Sequence, residues 1–147
     1  MKYAETYLFI QKKRCSDRFF VVWKIPEELL GVKIIKMVLQ PILENAITYG
    51  IIPYENEGRI EITAERKKET VALTVADSGL GITSEQVEEI NHSIQRNVIR
   101  ESRHIGLSNV NQRIILAFGE EYGLCISSEV NRGTRVSVTF PYQCITK

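Results

Sequence analysis

The chain has 147 residues, of which 44% are hydrophobic and 25% are charged, and its formal net charge is +1. These values are typical of one globular domain with at most a short appendage. No basic stripe gathers on one side, which excludes a nucleic-acid-binding protein. The three cysteines, Cys15, Cys125 and Cys144, form no CxxC pair, so a disulfide scaffold and a cysteine zinc site are excluded and reduced cytosolic thiols are expected. No run of about 18 apolar residues predicts a membrane span.

The first half of the chain predicts helix, strand and helix. Residues 3–14 have helical character, whereas the aromatic and β-branched stretch within 17–25 favours a strand. Between 34 and 49, apolar residues recur every three or four positions, which is typical of a helix with one apolar face. Gly50 is expected to end this helix, and Pro41 to loosen it.

The second half returns to strands around one further helix. Thr83 is placed to cap a short helix, and the polar, basic stretch 92–104 predicts a loop. Strands are predicted over 59–64, 71–75, 122–130 and 134–140, and a helix over 105–118. This order predicts an α/β (α+β) two-layer sandwich, in which a mixed, mostly antiparallel sheet carries helices on one face.

Asn45 lies beside the apolar stripe of the first long helix. A buried amide must be hydrogen-bonded or must bind something, because leaving it unpaired costs about 1–3 kcal/mol. Asn45 is therefore either a satisfied asparagine at the edge of the core or an oxygen ligand for Mg²⁺.

Asp77 ends a predicted strand and is followed by Ser78, Gly79, Leu80 and Gly81. Glycines allow positive φ and close approach of a ligand to the backbone. A carboxylate only accepts hydrogen bonds, so it suits an exocyclic amine such as that of adenine. An ordinary turn is the alternative.

Gly106 and Leu107 begin the last predicted helix. The N–H groups at a helix N-terminus favour phosphate, although an ordinary helix start has the same sequence. Neither a Walker A loop nor a GxGxxG fingerprint occurs in the chain.

The order of these motifs resembles the GHKL family of ATP-binding domains, which covers sensor histidine kinases, gyrase-type ATPases and related chaperones. Residues 39–47 resemble the N box, and 77–82 the DxGxG box. Residues 104–109 resemble the GxGLxN box, and Gly133-Thr134 the closing GT. The N box is most similar to that of LytS/YesM-type sensor kinases.

The resemblance implies a site for ATP and Mg²⁺ between the N-box helix and a lid formed by residues 83–104. Asn45 would bind the Mg²⁺ and Asp77 the adenine amine, with Thr134 close to Asp77. The adenine pocket would be shaped by Gly79, Gly81 and Ile82 of the DxGxG box. The phosphates would be covered by Gly106 and Leu107 at the start of the last helix. A lid arginine, Arg96, Arg100 or Arg103, would meet the phosphates, unless these arginines only form a solvated basic loop.

Two departures from the family pattern bear on the chemistry. His104 replaces the first glycine of the GxGLxN box, which would stiffen the lid. Pro41 stands where hydrolytic members carry a catalytic glutamate, and Glu44 is next to Asn45, placed to orient a metal-bound water or the phosphoacceptor. Phosphoryl transfer needs mainly positioning and charge neutralisation. The resemblance therefore favours a kinase over a hydrolase, with Glu44 and Asn45 as its catalytic pair.

The resemblance also implies a division of the chain and a set of partners. Residues 1–14 would end a preceding dimerisation and phosphoacceptor helix, and residues 15–147 would form the ATP-binding catalytic domain. The acceptor histidine would lie upstream, since His92 and His104 belong to the lid. A response regulator would receive the phosphate from a homodimeric protein anchored in the cell membrane, with this domain in the cytoplasm. An anti-sigma-type serine kinase and a nucleotide-binding scaffold module without transfer activity are the alternatives.

Overall fold

The computed structural model describes residues 2–32, 38–96 and 104–143. Four helices and five strands form its framework. In chain order they are α1 (Lys2–Arg14), β1 (Phe19–Lys24), α2 (Leu39–Asn45, continuing as a π-helical segment over Ala46–Ile51), β2 (Gly58–Lys67), β3 (Thr70–Asp77), α3 (Ser84–Arg96), α4 (Ile105–Phe118), β4 (Gly123–Glu129) and β5 (Gly133–Pro141). A short 3₁₀ turn, Glu27–Leu29, follows β1.

The five strands form one mixed sheet in the order β1-β2-β3-β5-β4. β1 pairs with β2 in parallel, and the other three pairs are antiparallel. Alternate residues of β3 and β5 are buried, and they face α2 and α4. The predicted two-layer α/β sandwich is confirmed, because its helices cover one face of a mostly antiparallel sheet.

The core lies between this sheet and the helices. The sheet contributes β-branched residues such as Ile60 and Val138, which are fully buried. Helix α4 contributes Leu107, Val110 and Ile114, which share one side of the helix at the spacing expected for an amphipathic helix. The same core therefore fixes α4 against the sheet and, through the neighbouring α2, the relative position of the two helices.

Gly50 does not end the N-box helix, contrary to the sequence prediction. The helix continues through Gly50 to Ile51 as a π-helical segment. Pro41 is also less disruptive than expected, because α2 begins at Leu39 in the described chain and Pro41 falls in its first turn. N–H groups in the first turn have no partner within the helix, so proline removes nothing there. Residues 33–37 lie outside the described residues.

The predicted loop over 92–104 was partly wrong, because α3 extends to Arg96. Thr83 begins this helix as predicted: its Oγ1 accepts the Gln86 N–H at 3.3 Å, and its own N–H donates to Gln86 Oε1 at 3.0 Å. This reciprocal pair is a capping box. Residues 97–103 lie outside the described residues, so the predicted lid, residues 83–104, is described only over 83–96 and at His104.

Strand β4 is the edge of the sheet, and two asparagine side chains occupy its outward N–H groups. Asn91 of α3 accepts the Ile126 N–H at 2.8 Å and donates to the Ile126 carbonyl at 2.8 Å. Asn111 of α4 accepts the Leu124 N–H at 2.8 Å. An exposed edge would offer these groups to another strand. The two side chains therefore close the edge and fix α3 and α4 to it.

Helix α1 packs against α2 through its buried residues Ala4 and Leu8. Tyr3 and Phe9, by contrast, are largely exposed. Within the described ranges, no helix has the length and apolar character needed to cross a membrane.

Candidate functional site

Asp77 is the last residue of β3, and its side chain is buried on the helix-covered face of the sheet, with 7% of the residue exposed. Its Oδ1 accepts the Gly79 N–H at 2.9 Å and the Thr134 N–H at 3.4 Å. Thr134 was expected to lie close to Asp77, and the hydrogen bond shows that it does. Since both bonds go to Oδ1, the other oxygen, Oδ2, is the one available to a ligand.

Burial raises the pKa of Asp77 from its ordinary value of 3.8 to about 6, and the hydrogen bonds from Gly79 and Thr134 oppose that rise. At pH 7.5 the group is still mainly ionised, so it presents an acceptor and no proton. Burying an ionised carboxylate is energetically unfavourable, and a buried carboxylate with a shifted pKa is typical of a functional position.

Three glycines make room for Asp77 and for the turn that follows it. A Cβ on Gly50 would lie 2.5 Å from Cγ and Oδ1 of Asp77, and one on Gly79 would overlap the Gly50 carbonyl. A Cβ on Gly133 would overlap the Asp77 carbonyl. Gly50 is a site residue that sequence reasoning missed. Its helical context hid its function, because only the tertiary fold places it against the carboxylate.

Gly81 has a positive φ of +67°, which glycine allows. The next residue, Ile82, donates its N–H to Ser128 Oγ at 3.0 Å, and that hydroxyl donates to the Gly133 carbonyl at 2.8 Å. Oγ of Ser128 also lies 2.9 Å from Oγ1 of Thr134. Ser128 therefore ties the DxGxG turn to β5. Sequence reasoning missed it as well, although its alternation with Leu124 and Ile126 places it on the same face.

The N-terminus of α4 lies alongside α2 at the turn that carries Asn45. Pro41, Asn45 and Tyr49 are four residues apart and share one side of α2. A Cβ on Gly106 would lie 3.4 Å from Pro41 Cβ, and the rings of His104 and Tyr49 lie 6.0 Å apart between centroids. The half-buried Asn45 thus lies, along α2, between two of the points at which the start of α4 approaches that helix.

The other predicted site residues are placed less directly. Gly106 is exposed at the start of α4, whereas the Leu107 side chain is buried in the core, so that only its backbone is at the helix start. Glu44 is exposed, and its charge adds to burial, the larger cause, in raising the pKa of Tyr7 on α1 to about 12. Glu44 therefore lies on the α1 side of α2. Arg96 is exposed at the end of α3, while Arg100 and Arg103 lie outside the described residues.

The site fits a nucleotide by its donors and acceptors. Asp77 offers a buried acceptor, and the backbone of Gly50 approaches it so closely that a Cβ there would lie 2.5 Å from the carboxylate. The start of α4 offers N–H groups suited to phosphate. The part of the chain that is described contains no group of three or more His, Cys, Asp or Glu side chains arranged to hold a metal.

The family model for the histidine kinase-, DNA gyrase B- and HSP90-like ATPases matches residues 32–143. The chain belongs to this family. It is 38% identical over 135 residues to the sensor histidine kinase YesM of Bacillus subtilis (strain 168), covering 92% of the chain and 22% of YesM. It is 29% identical over 141 residues to the sensor protein kinase HptS of Staphylococcus aureus (strain USA300), covering 96% of the chain and 27% of HptS.

Solved structures share this fold. The catalytic domain of histidine kinase ThkA superposes with a TM-score of 0.67 at 21% identity, covering 96% of this chain and 91% of that one. The mycobacterial sensor histidine kinase MprB gives a TM-score of 0.64 at 14% identity, with coverage of 96% and 93%. Membership of an ATPase family implies ATP as the nucleotide. The chain spans about a quarter of the two curated relatives, so the activity of the whole protein is a separate question.

Proposed function

We propose that this chain is the catalytic and ATP-binding domain of a sensor histidine kinase, which donates the γ-phosphate of Mg-ATP to a histidine on an upstream domain. The observation that carries the proposal is the buried Asp77 carboxylate, held at the sheet end with Gly50 against it. A buried charge is costly, and ligand recognition is the property that would offset that cost.

The adenine end of the site would be read by Asp77 Oδ2. The exocyclic amine of adenine is a donor, and the ionised carboxylate is an acceptor already oriented by two backbone N–H groups. Thr134 and Ser128 supply hydroxyls on the same face of the sheet, which suits further hydrogen bonds to the base, direct or through water. Gly79, Gly81 and Ile82 would form the wall of this pocket.

The phosphate end would lie between Asn45 and the start of α4. Asn45 would contribute an amide oxygen to Mg²⁺, which typically takes few protein ligands and completes its shell with phosphate oxygens and water. The backbone at Gly106 and Leu107 would donate to phosphate oxygens at the positive end of the helix dipole. When bound, the ion supplies charge neutralisation for the transferred phosphoryl group. Arg103 and the other lid arginines remain candidates for further phosphate contacts.

Transfer is favoured over hydrolysis by the residues beside Asn45. Pro41, one turn before it, has no group to activate water. Glu44 lies on the α1 side of α2, so we assign it to orienting the acceptor or a metal-bound water. His92 is exposed on α3 and His104 packs against Tyr49. The acceptor histidine is therefore assigned to a domain preceding α1, with α1 itself as the end of the connecting helix.

The partners and the cellular location proposed for this domain are based on its relatives. YesM and HptS are sensor kinases by name, and ThkA has been solved in complex with the response regulator protein TrrA. We infer a response regulator as the phosphate recipient, a homodimeric full-length protein anchored in the membrane, and a cytoplasmic location for this domain.

Calorimetric titration with ATP, with Mg²⁺ and with EDTA, tests the nucleotide site. Asp77→Asn should weaken binding about 10- to 100-fold in both conditions, since a hydrogen bond to a charged group contributes about 1.5–3 kcal/mol. Asn45→Ala should remove the advantage that Mg²⁺ gives and leave binding in EDTA unchanged. Asn56→Ala, at an exposed asparagine, is the matched control. Unchanged affinity in both site variants would refute the assignment.

Transfer is tested separately by adding a histidine phosphoacceptor domain and γ-labelled ATP. Acid-labile, alkali-stable label on the acceptor supports the histidine kinase. Acid-stable label on a serine would indicate the serine-kinase alternative, and binding without any label would indicate a scaffold module.

A further inference from the structure

His104 and Tyr49 form a ring contact between the start of α4 and the helix that carries Asn45. Their centroids are 6.0 Å apart with the planes inclined at 48°, within the range in which aromatic pairs attract. Both residues are half-buried, and Nδ1 of His104 is shielded from solvent. His104 is the cap residue of α4, and Tyr49 lies one helical turn after Asn45. The contact therefore joins the N-cap residue of α4 to the helix that carries Asn45, the predicted metal ligand.

A glycine at position 104 would have no side chain to make this contact. The helices also approach at Gly106, where a Cβ would lie 3.4 Å from Pro41 Cβ, and α4 is held in the core from Leu107 onward. Ile105 and Gly106, which precede these buried residues, are exposed, so without the rings the first residues of α4 would lose one of their attachments to α2. The ring contact therefore adds a point of attachment at the N-cap of α4, outside the core.

We propose that Tyr49 and His104 are positioning residues, which hold the N-terminus of α4 beside Asn45 and so preassemble the phosphate site. The inference rests on the proposed function, because it concerns the same nucleotide. Binding energy is lost when a site must be ordered by its ligand, and a preassembled site avoids that loss. An aromatic pair contributes about 0.5–1.5 kcal/mol, which corresponds to about 2- to 10-fold in affinity.

Loss of this contact should weaken the binding of the phosphates and not that of the adenine base, since the contact lies at α4 and not at Asp77. His104→Gly and Tyr49→Ala are each expected to weaken ATP and ADP binding about 2- to 10-fold, while the affinity for adenosine stays within twofold. The double variant should be no weaker than the worse single variant, because one contact is lost in all three. His104→Phe and Tyr49→Phe keep both rings and should restore affinity to near that of the unaltered chain.

The positioning role of the ring contact is tested by titrating the whole chain with ATP, ADP and adenosine. Thermal unfolding is recorded for each variant. Equal or tighter ATP binding in His104→Gly would overturn the inference. Equal loss for adenosine would also overturn it, since that would indicate a damaged pocket. If His104→Phe behaved like His104→Gly, a hydrogen bond or charge of the imidazole, and not the ring contact, would be responsible. Failure of the unaltered chain to bind any of the three ligands would instead refute the proposed function.

Discussion

Replacing Asp77 by asparagine should make the unliganded domain more stable and the nucleotide complex weaker. The amide has the same shape as the carboxylate and can still accept the N–H groups of Gly79 and Thr134 through Oδ1. It carries no charge, so the cost of burying an ionised group disappears. The two effects of the substitution on stability and on binding therefore have opposite signs.

The pKa of Asp77 gives the magnitude. It rises from 3.8 to about 6 on folding, a difference of about 2 units, and each unit corresponds to about 1.36 kcal/mol. Because the folded pKa is the higher one, the folded state binds the proton more tightly. The stabilisation associated with that proton is fully present below pH 3.8 and is lost as pH rises through about 6. Above pH 7 we therefore expect the free energy of unfolding of Asp77→Asn to exceed that of the unaltered chain by up to about 3 kcal/mol. This difference should shrink towards pH 4.

Urea unfolding at pH 4, 5, 6, 7 and 8 measures this difference, and calorimetry with Mg-ATP at pH 7.5 measures the loss of binding. Asp17→Asn is the matched control, since Asp17 is exposed and already has the positive φ of 55° that asparagine tolerates. Its free energy of unfolding should change by less than about 0.5 kcal/mol. The reasoning is refuted if Asp77→Asn is no more stable than the unaltered chain at pH 7.5, or if the difference does not depend on pH.

Three further outcomes follow from the same contacts. Gly50→Ala places a Cβ 2.5 Å from the Asp77 carboxylate, so it should cost about 1–3 kcal/mol in chemical unfolding and weaken ATP binding, whereas Gly31→Ala has open space and should do neither. Asn111→Ala leaves the buried Leu124 N–H without its acceptor and should lower the free energy of unfolding by about 1–3 kcal/mol in urea; an unchanged midpoint would contradict the edge-closing contact. ATP affinity should fall as pH drops below about 6, because protonation of Asp77 removes the charge that accepts the adenine amine; a flat calorimetric profile between pH 5 and 7.5 would count against that role.

The fold class was predictable because each element carries its own periodic pattern. Alternation in β3 and the three-to-four spacing in α4 are local consequences of backbone geometry, so they appear in the sequence before any tertiary contact is known. Errors fell where local signals are ambiguous. The polar stretch after His92 looked like a loop, yet α3 continues to Arg96 because Ile94 is buried and Asn91 is tied to β4.

The candidate site, like the fold, was predictable from the sequence only in part. Asp77 and Gly81 were identifiable, since a strand-end carboxylate followed by glycines has a local meaning and the positive φ of Gly81 is a property of that turn. Their ordered combination with Asn45 and Gly106 indicated the family. Nothing local indicates that Ser128 bonds to Ile82, because the strand order alone brings the end of β4 close to the end of β3, with β5 between them.

The sequence by itself therefore determined the order of elements, the apolar faces and the carboxylate at the end of β3, since each depends on neighbours along the chain. Only the tertiary structure decided that Gly50 is a contact of Asp77 and not the end of a helix. It also decided that α4 begins beside Asn45, with His104 against Tyr49. The physical reason is that close approach between backbones and rings is set by packing of segments far apart in the chain, which no local pattern records.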